Sequence, residues 1–198
     1  MKRNMEELLT NLINKQKEKE EINKLWLNSK FKDIITLQSN NVGIIGEEFI
    51  KNICHLSNIN NNIDGIKSRK KGGGFGDGFI NNKIIEIKTA VQSSSNVFQH
   101  ELGEKPYLFD YLIFIDISPE IIYLTIFKNF DEFSYKNKIK CHPYFPTKII
   151  TWRKNIGAFK LDTSIKINEE NVIKGYTIKI TNETDIDYIK NYINSIIK

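Results

Sequence analysis

Cysteine is almost absent from this chain: two residues in 198, Cys54 and Cys141, too few and too far apart for a disulfide framework. Each precedes a histidine, as Cys54-His55 and Cys141-His142. No CxxC or HxxxH spacing accompanies them, so buried thiols are expected rather than structural zinc. No apolar run reaches the length of a membrane span, and the N-terminus lacks a signal-peptide core. A soluble, cytoplasmic protein with no membrane partner is therefore expected. There is no internal repeat. The glycine-rich stretch Gly72–Gly78 lacks the Gly-Lys-Ser/Thr of a Walker loop and does not open a helix, which sets aside both kinds of nucleotide loop. Its glycines are better read as letting a neighbouring backbone come close.

What is present fits one globular domain with a small appendage: 198 residues, 40% of them hydrophobic. The net charge of +5 is unevenly spread. From Lys128 to Lys160 there are eight Lys or Arg against two acids, Asp131 and Glu132, so this segment carries +6 and the remainder about −1. Aromatics are interleaved with the charge: Tyr135, Tyr144, Phe145, Trp152 and Phe159. Such a stretch, Arg153 and Lys154 included, suits a phosphate-binding surface. It equally suits a solvated basic face, and both readings stay open.

Residues 3–38 read as helical, with Met5, Leu8, Leu9, Leu12 and Ile13 forming a stripe that Ile22, Leu25 and Trp26 resume. Ser39-Asn40-Asn41 is expected to break and cap. A second helix should run from Val42 to Leu56 with Ile45, Phe49, Ile53 and Leu56 inward. Asn58–Asn62 reads as a polar loop, and Phe75–Phe79 and Lys83–Thr89 as strands. Ser93–Asn96 is expected to cap a short helix ending near Gly103. Tyr111–Ile117 and Ile121–Phe127 form a strand pair around Ser118-Pro119-Glu120, and the tail from Val172 holds a strand and a helix over Asp185–Ile197. The sum is an α/β fold, a mixed central sheet flanked by helices.

The most informative local pattern is Gly76-Asp77-Gly78, then Asn81-Asn82, then Glu86-Ile87-Lys88. Asn tolerates the positive φ of a two-residue hairpin turn. Counting outward from that turn, Ile80 faces Lys83, Phe79 faces Ile84, Gly78 faces Ile85 and Asp77 faces Glu86. Directly opposed side chains have Cβ atoms about 4.5–5.5 Å apart, where like charges are destabilising. Two opposed carboxylates call for a cation between them, and a divalent ion with oxygen ligands is the natural one. The strand period of two puts the Lys88 ammonium on the same face, while Ile85 and Ile87 should bury on the other.

Asp77, Glu86 and Lys88 resemble the signature of the PD-(D/E)xK nuclease superfamily, which includes many type II restriction endonucleases. Gly43–Ile50, with Gly46-Glu47-Glu48, looks like the acidic helix that usually precedes that signature. The resemblance covers roughly residues 43–127, with Gly76 where the family name expects Pro. It implies a restriction-endonuclease-like core at 41–198, including the basic region 128–160, preceded by an N-terminal helical segment at 1–40. It also implies a Mg²⁺-dependent endonuclease acting on double-stranded DNA, with Mn²⁺ able to substitute. Asp77 and Glu86 would hold the metal, Lys88 would assist the attacking water, and Glu47 would add a further carboxylate near the metal, with Glu48 the competing choice. Alternatives are a structure-directed nuclease and a non-catalytic nucleic-acid-binding module. Candidate DNA contacts are Arg69, Lys70, Lys71, Gln99, His100, Arg153 and Lys154. Arginine bidentate to guanine is the commonest specific base contact, and Arg69 and Arg153 are two of only three arginines. A palindromic target would make a homodimer, with the front helices as the interface.

Overall fold

A computed structural model of the chain describes residues 5–64, 76–137 and 150–198. Helix α1 spans Met5–Trp26 and α2 Ser39–Leu56, with a 3₁₀ turn at Lys32–Thr36 between them. Strands β1 (Asn61–Ile63), β2 (Gly78–Ile80), β3 (Lys83–Val91) and β4 (Val97–Phe98) follow. Next come β5 (Tyr111–Ile117), β6 (Ile122–Lys128), helix α3 (Glu132–Asn137), and β7 (Thr151–Arg153) with β8 (Ala158–Lys160). The chain continues through β9 (Thr163–Ser164), α4 (Ile165–Ile173), β10 (Thr177–Ile180) and α5 (Ile186–Ile196). Among the described strands the main sheet has the order β1-β2-β3-β5-β6-β10; β3 and β5 run parallel and every other neighbouring pair is antiparallel. The fold is thus mixed α/β with a mixed central sheet and flanking helices, as expected. No helix among the described residues is long and apolar enough to cross a membrane.

Period-two alternation gives the sheet two unlike faces. On one, Ile85 and Ile87 of β3 lie beside Ile113 and Ile115 of β5, then Leu124 and Ile126 of β6 and Ile178 of β10. All are buried against Ile50, Ile53 and Cys54 of α2, Ile189, Tyr192 and Ile193 of α5, and Trp26. Burial pushes the Cys54 thiol up to about 11, so it stays a protonated, inert thiol. Trp26 is wholly enclosed and its indole N–H donates to the Gln92 carbonyl at 3.4 Å, which fastens the end of α1 to the core. The opposite face presents Glu86, Lys88 and Ala90 of β3 beside Leu112, Phe114 and Asp116 of β5. Phe127, Phe130, Tyr135, Phe159 and Leu161 cover much of it.

Several elements differ from expectation. Asn61–Ile63 is an edge strand rather than loop, since ladder bonds use the backbone and are indifferent to asparagine side chains. Helix α2 begins at Ser39, with Gln38 at its N-cap and no side-chain cap, so Ser39-Asn40-Asn41 is the first turn and not a break. Its buried side is Val42, Gly46, Glu47, Ile50, Ile53 and Cys54, whereas Ile45 and Leu56 are exposed. The phase is set by Gly46: a Cβ there would come within 1.7 Å of Thr89 Oγ1, so only glycine lets α2 sit this close to β3. No helix forms between Ser93 and Gly103; a turn with Asn96 at φ 59° leads into β4, which pairs with β9. Helix α4, unforeseen, is capped by the Ser164 hydroxyl accepting the Ile167 N–H at 3.3 Å.

Candidate active site

The hairpin turn forms at Asn81 (φ 51°) and Asn82 (φ 62°). The ladder pairs Ile80 with Lys83, Phe79 with Ile84 and Gly78 with Ile85, the register counted from the turn. It stops there. Strand β2 is Gly78–Ile80; of the expected Phe75–Phe79, Phe75 lies outside the described residues, Gly76 and Asp77 precede the strand, and Asp77 does not pair across from Glu86. The Asp77 N–H instead donates to the Ile85 carbonyl at 2.9 Å, so Asp77 and Gly78 both oppose Ile85, as in a bulge. Gly76 (φ 69°) and Gly78 (φ 145°) permit this turn of backbone. A Cβ on either would lie 2.2 Å from a carbonyl oxygen, of Ile85 or of Asn62 in β1. Those glycines serve the approach of neighbouring strands.

The bulge re-aims the acid. Asp77 Oδ2 accepts the Ile87 N–H at 2.7 Å, and the residue is 1% exposed. Its carboxylate is therefore fixed to the peptide that follows Glu86. Glu86 is 9% exposed and receives Lys88 Nζ on Oε1 at 2.5 Å, which puts Glu86 and Lys88 on one side of β3. Lys88 is the more open of the two, so the pair is reached from its ammonium end. Behind Glu86 lies Tyr135, whose hydroxyl donates to Asn129 Oδ1 at 2.7 Å. Burial, and then the negative charge of Glu86, hold the Tyr135 proton far above the ordinary phenol range.

On α2, Glu47 is turned inward at 6% exposure, whereas Glu48 lies at the surface and binds Lys51 at 3.1 Å. The helix packs on the Ile85–Ile87–Thr89 side of β3, however, opposite to Glu86 and Lys88. Among the described residues no three His, Cys, Asp or Glu side chains are grouped so as to hold a metal ion. Asp77, Glu86 and Glu47 are thus not gathered into a three-carboxylate cage. A magnesium site needs less, since Mg²⁺ keeps several waters and is commonly held by one or two carboxylates plus substrate phosphate. Asp77 and Glu86 supply the hard oxygen donors for that, and one lysine beside them leaves the pair with net negative charge.

The candidate DNA contacts scatter. Arg69, Lys70 and Lys71 lie outside the described residues, as do Cys141 and His142. Gln99 is exposed, after β4. His100 is 1% exposed, stacked on Phe114 with ring centroids 4.1 Å apart, and its Nε2 lies 2.7 Å from Asp116 Oδ1. A base or phosphate could meet His100 only if this packing opened. Of the basic segment, Lys136 binds Glu132 at 2.6 Å and the buried Lys160 binds Asp162 at 3.1 Å, while Arg153 and Lys154 are fully on the surface.

Sequence reasoning missed a buried polar group on the same face as Glu86. Asp116 Oδ2 accepts the Asn168 amide at 2.7 Å and the Thr163 hydroxyl, while Oδ1 pairs with His100. All four residues are at most 1% exposed. A signal existed: one aspartate inside the otherwise apolar run Tyr111–Ile117 cannot bury without donors. Comparison with protein-family models, curated proteins and solved structures yields no match.

Proposed function

We propose that this chain is a Mg²⁺-dependent endonuclease that hydrolyses phosphodiester bonds of double-stranded DNA at specific sequences, like a type II restriction enzyme with a restriction-endonuclease-like core. One observation carries the reading: the Asp77 carboxylate is held on the backbone beside Glu86 while Lys88 reaches Glu86 from the same strand. A structural hairpin has no need of two buried acids and a lysine on and beside its paired strands, and burying them is costly unless they are paired.

Asp77 and Glu86 would hold the ion, and Glu47 is the further acid that the resemblance implies on the upstream helix. The bound Mg²⁺ would supply Lewis acidity and a water of lowered pKa. Lys88, with its ammonium partly open to solvent, would orient the attacking water or neutralise charge growing on the scissile phosphate. Tyr135 and the aromatic layer behind Glu86 keep bulk water from its far side, which strengthens the electrostatic interactions within the site. For a palindromic target a second copy would dock on α1, where Leu9, Leu12 and Ile13 are about half exposed.

The test is digestion of duplex plasmid with Mg²⁺ by the full chain and by Asp77→Ala, Glu86→Ala and Lys88→Ala. Discrete bands are expected from the parent, and each substitution should lower cutting by at least about 10²-fold with duplex binding retained. Undiminished cutting by all three variants would sink the assignment, and cutting confined to branched DNA would make the enzyme structure-directed.

A further inference from the structure

The antiparallel ribbon β7–β8 is an arm rather than a piece of the core. Every residue from Thr151 to Gly157 is exposed, including Trp152 at 38% and Ile156 at 43%, and only its return strand Ala158–Lys160 is buried. The exposed part carries Arg153 and Lys154 with no acid between residues 150 and 161. Neither cation has an ion-pair partner among the described residues, unlike Lys136 and Lys160 nearby. Gly157, at φ 62°, closes the turn.

The arm is rooted on the face that carries Glu86. Phe159 packs on Tyr135 with centroids 5.2 Å apart, and Trp152 meets Phe159 edge-on at 4.8 Å. The Leu102 N–H donates to the Phe159 carbonyl at 2.8 Å, and the Phe159 N–H to the Gly103 carbonyl at 2.9 Å. An aromatic stack thus runs from the base of the arm to the tyrosine that senses the Glu86 charge. A two-stranded ribbon of this kind fits the B-form major groove, roughly 12 Å wide, which admits an α-helix or a β-ribbon.

Resting on the nuclease reading above, we infer that the Thr151–Lys160 ribbon enters the major groove of the substrate duplex, Arg153 contacting a base edge and Lys154 a backbone phosphate. The partner is duplex B-form DNA. An A-form RNA duplex, with its deep and narrow major groove, is excluded by shape.

Fluorescence anisotropy of the full chain with a mixed-sequence DNA duplex, in EDTA so that nothing is cut, tests this across about 50–200 mM salt. For Arg153→Ala/Lys154→Ala binding should weaken and the slope of log K against log salt should be shallower by about one, the Lys154 phosphate contact being lost. Arg153→Lys should keep the slope while relaxing sequence preference, because only arginine spans guanine O6 and N7 in bidentate fashion. Unchanged thermal melting of these surface variants confirms folding. If the parent cuts plasmid but the double variant binds with the parent's affinity and slope, the ribbon inference is overturned and the nuclease reading stands. If the parent binds duplex without cutting and the double variant loses that binding, the ribbon stands and the nuclease reading falls. No binding and no cutting by the parent overturns both, and equal competition by an RNA duplex overturns insertion into the groove.

Discussion

The two faces of the central sheet solve opposite problems with the same strands. On the α2–α5 side, isoleucine dominates from β3 across to β10, and the one buried acid of α2, Glu47, sits on the helix rather than on the strands. On the other side the strands carry Glu86, Lys88 and Asp116, and aromatic rings mixed with leucine and isoleucine fill the space around them. The first face is held by area removed from water, which is non-directional and tolerant of substitution of similar volume. The second depends on particular hydrogen bonds, because each buried charge there is costly the moment its partner is lost. The proposed chemistry sits where the fold is least forgiving.

The sharpest way to break that comparison is Asp116→Ala. It leaves His100, Thr163 and Asn168 without their shared acceptor, and should cost about 3–5 kcal/mol in urea unfolding. A cost no greater than that of an apolar trim on the other face would erase the distinction. Gly46→Ala probes the helix side: overpacking against Thr89 costs about 1–3 kcal/mol, set against about 1 kcal/mol of gained helix propensity. With the added Cβ only 1.7 Å from Thr89 Oγ1, a net loss is expected, and Thr89→Ala should relieve it while Thr89→Ser should not. Ile113→Val, in the middle of the apolar face, should cost only about 0.5–1.5 kcal/mol. Smallest is the acid-side dependence at Glu169, whose carboxyl is held below the ordinary range by Lys179 first and by the Tyr123 hydroxyl second. A lowered folded-state pKa stabilises above the unfolded value, and that contribution disappears as pH falls through the folded one. Parent and Glu169→Gln should therefore differ at pH 7 and converge in acid, by under about 1 kcal/mol because the pair is solvent-screened.

How far these faces could be read in advance depended on the kind of regularity involved. The hairpin register followed from Asn81-Asn82 because a two-residue turn leaves no freedom in counting, and Ile85 and Ile87 alternate cleanly with Glu86 and Lys88. Counting failed at Asp77 because a bulge adds a residue to one strand, and Gly76 and Gly78, its enablers, read equally well as loop. The α2 face was rotated in the reading because hydropathy gives no weight to Gly46 and opposes Glu47, yet both are buried. Helix α4 was invisible for a related reason: its buried residues are Asn168 and Asn171, and Asn168 serves a polar group assembled from distant elements. The Asp116 group joins residues 16 to 52 positions apart, a span that no local period records.

One small contact at the hairpin turn has a consequence for biogenesis. Asn81 Nδ2 donates to Asn194 Oδ1 at 3.3 Å and to the Ile197 carbonyl at 3.1 Å. Asn194 stands 113 positions further along, so on a translating ribosome the turn emerges long before its latch does. During that interval β2 and β3 can pair, but their turn stays unfastened until α5 has left the exit tunnel. Loop-closure entropy makes such a late, long-range contact slow to form. The nascent protein should thus acquire its sheet first and its fully seated hairpin only after α5 has emerged, so that the proposed hydrolytic centre is fastened late.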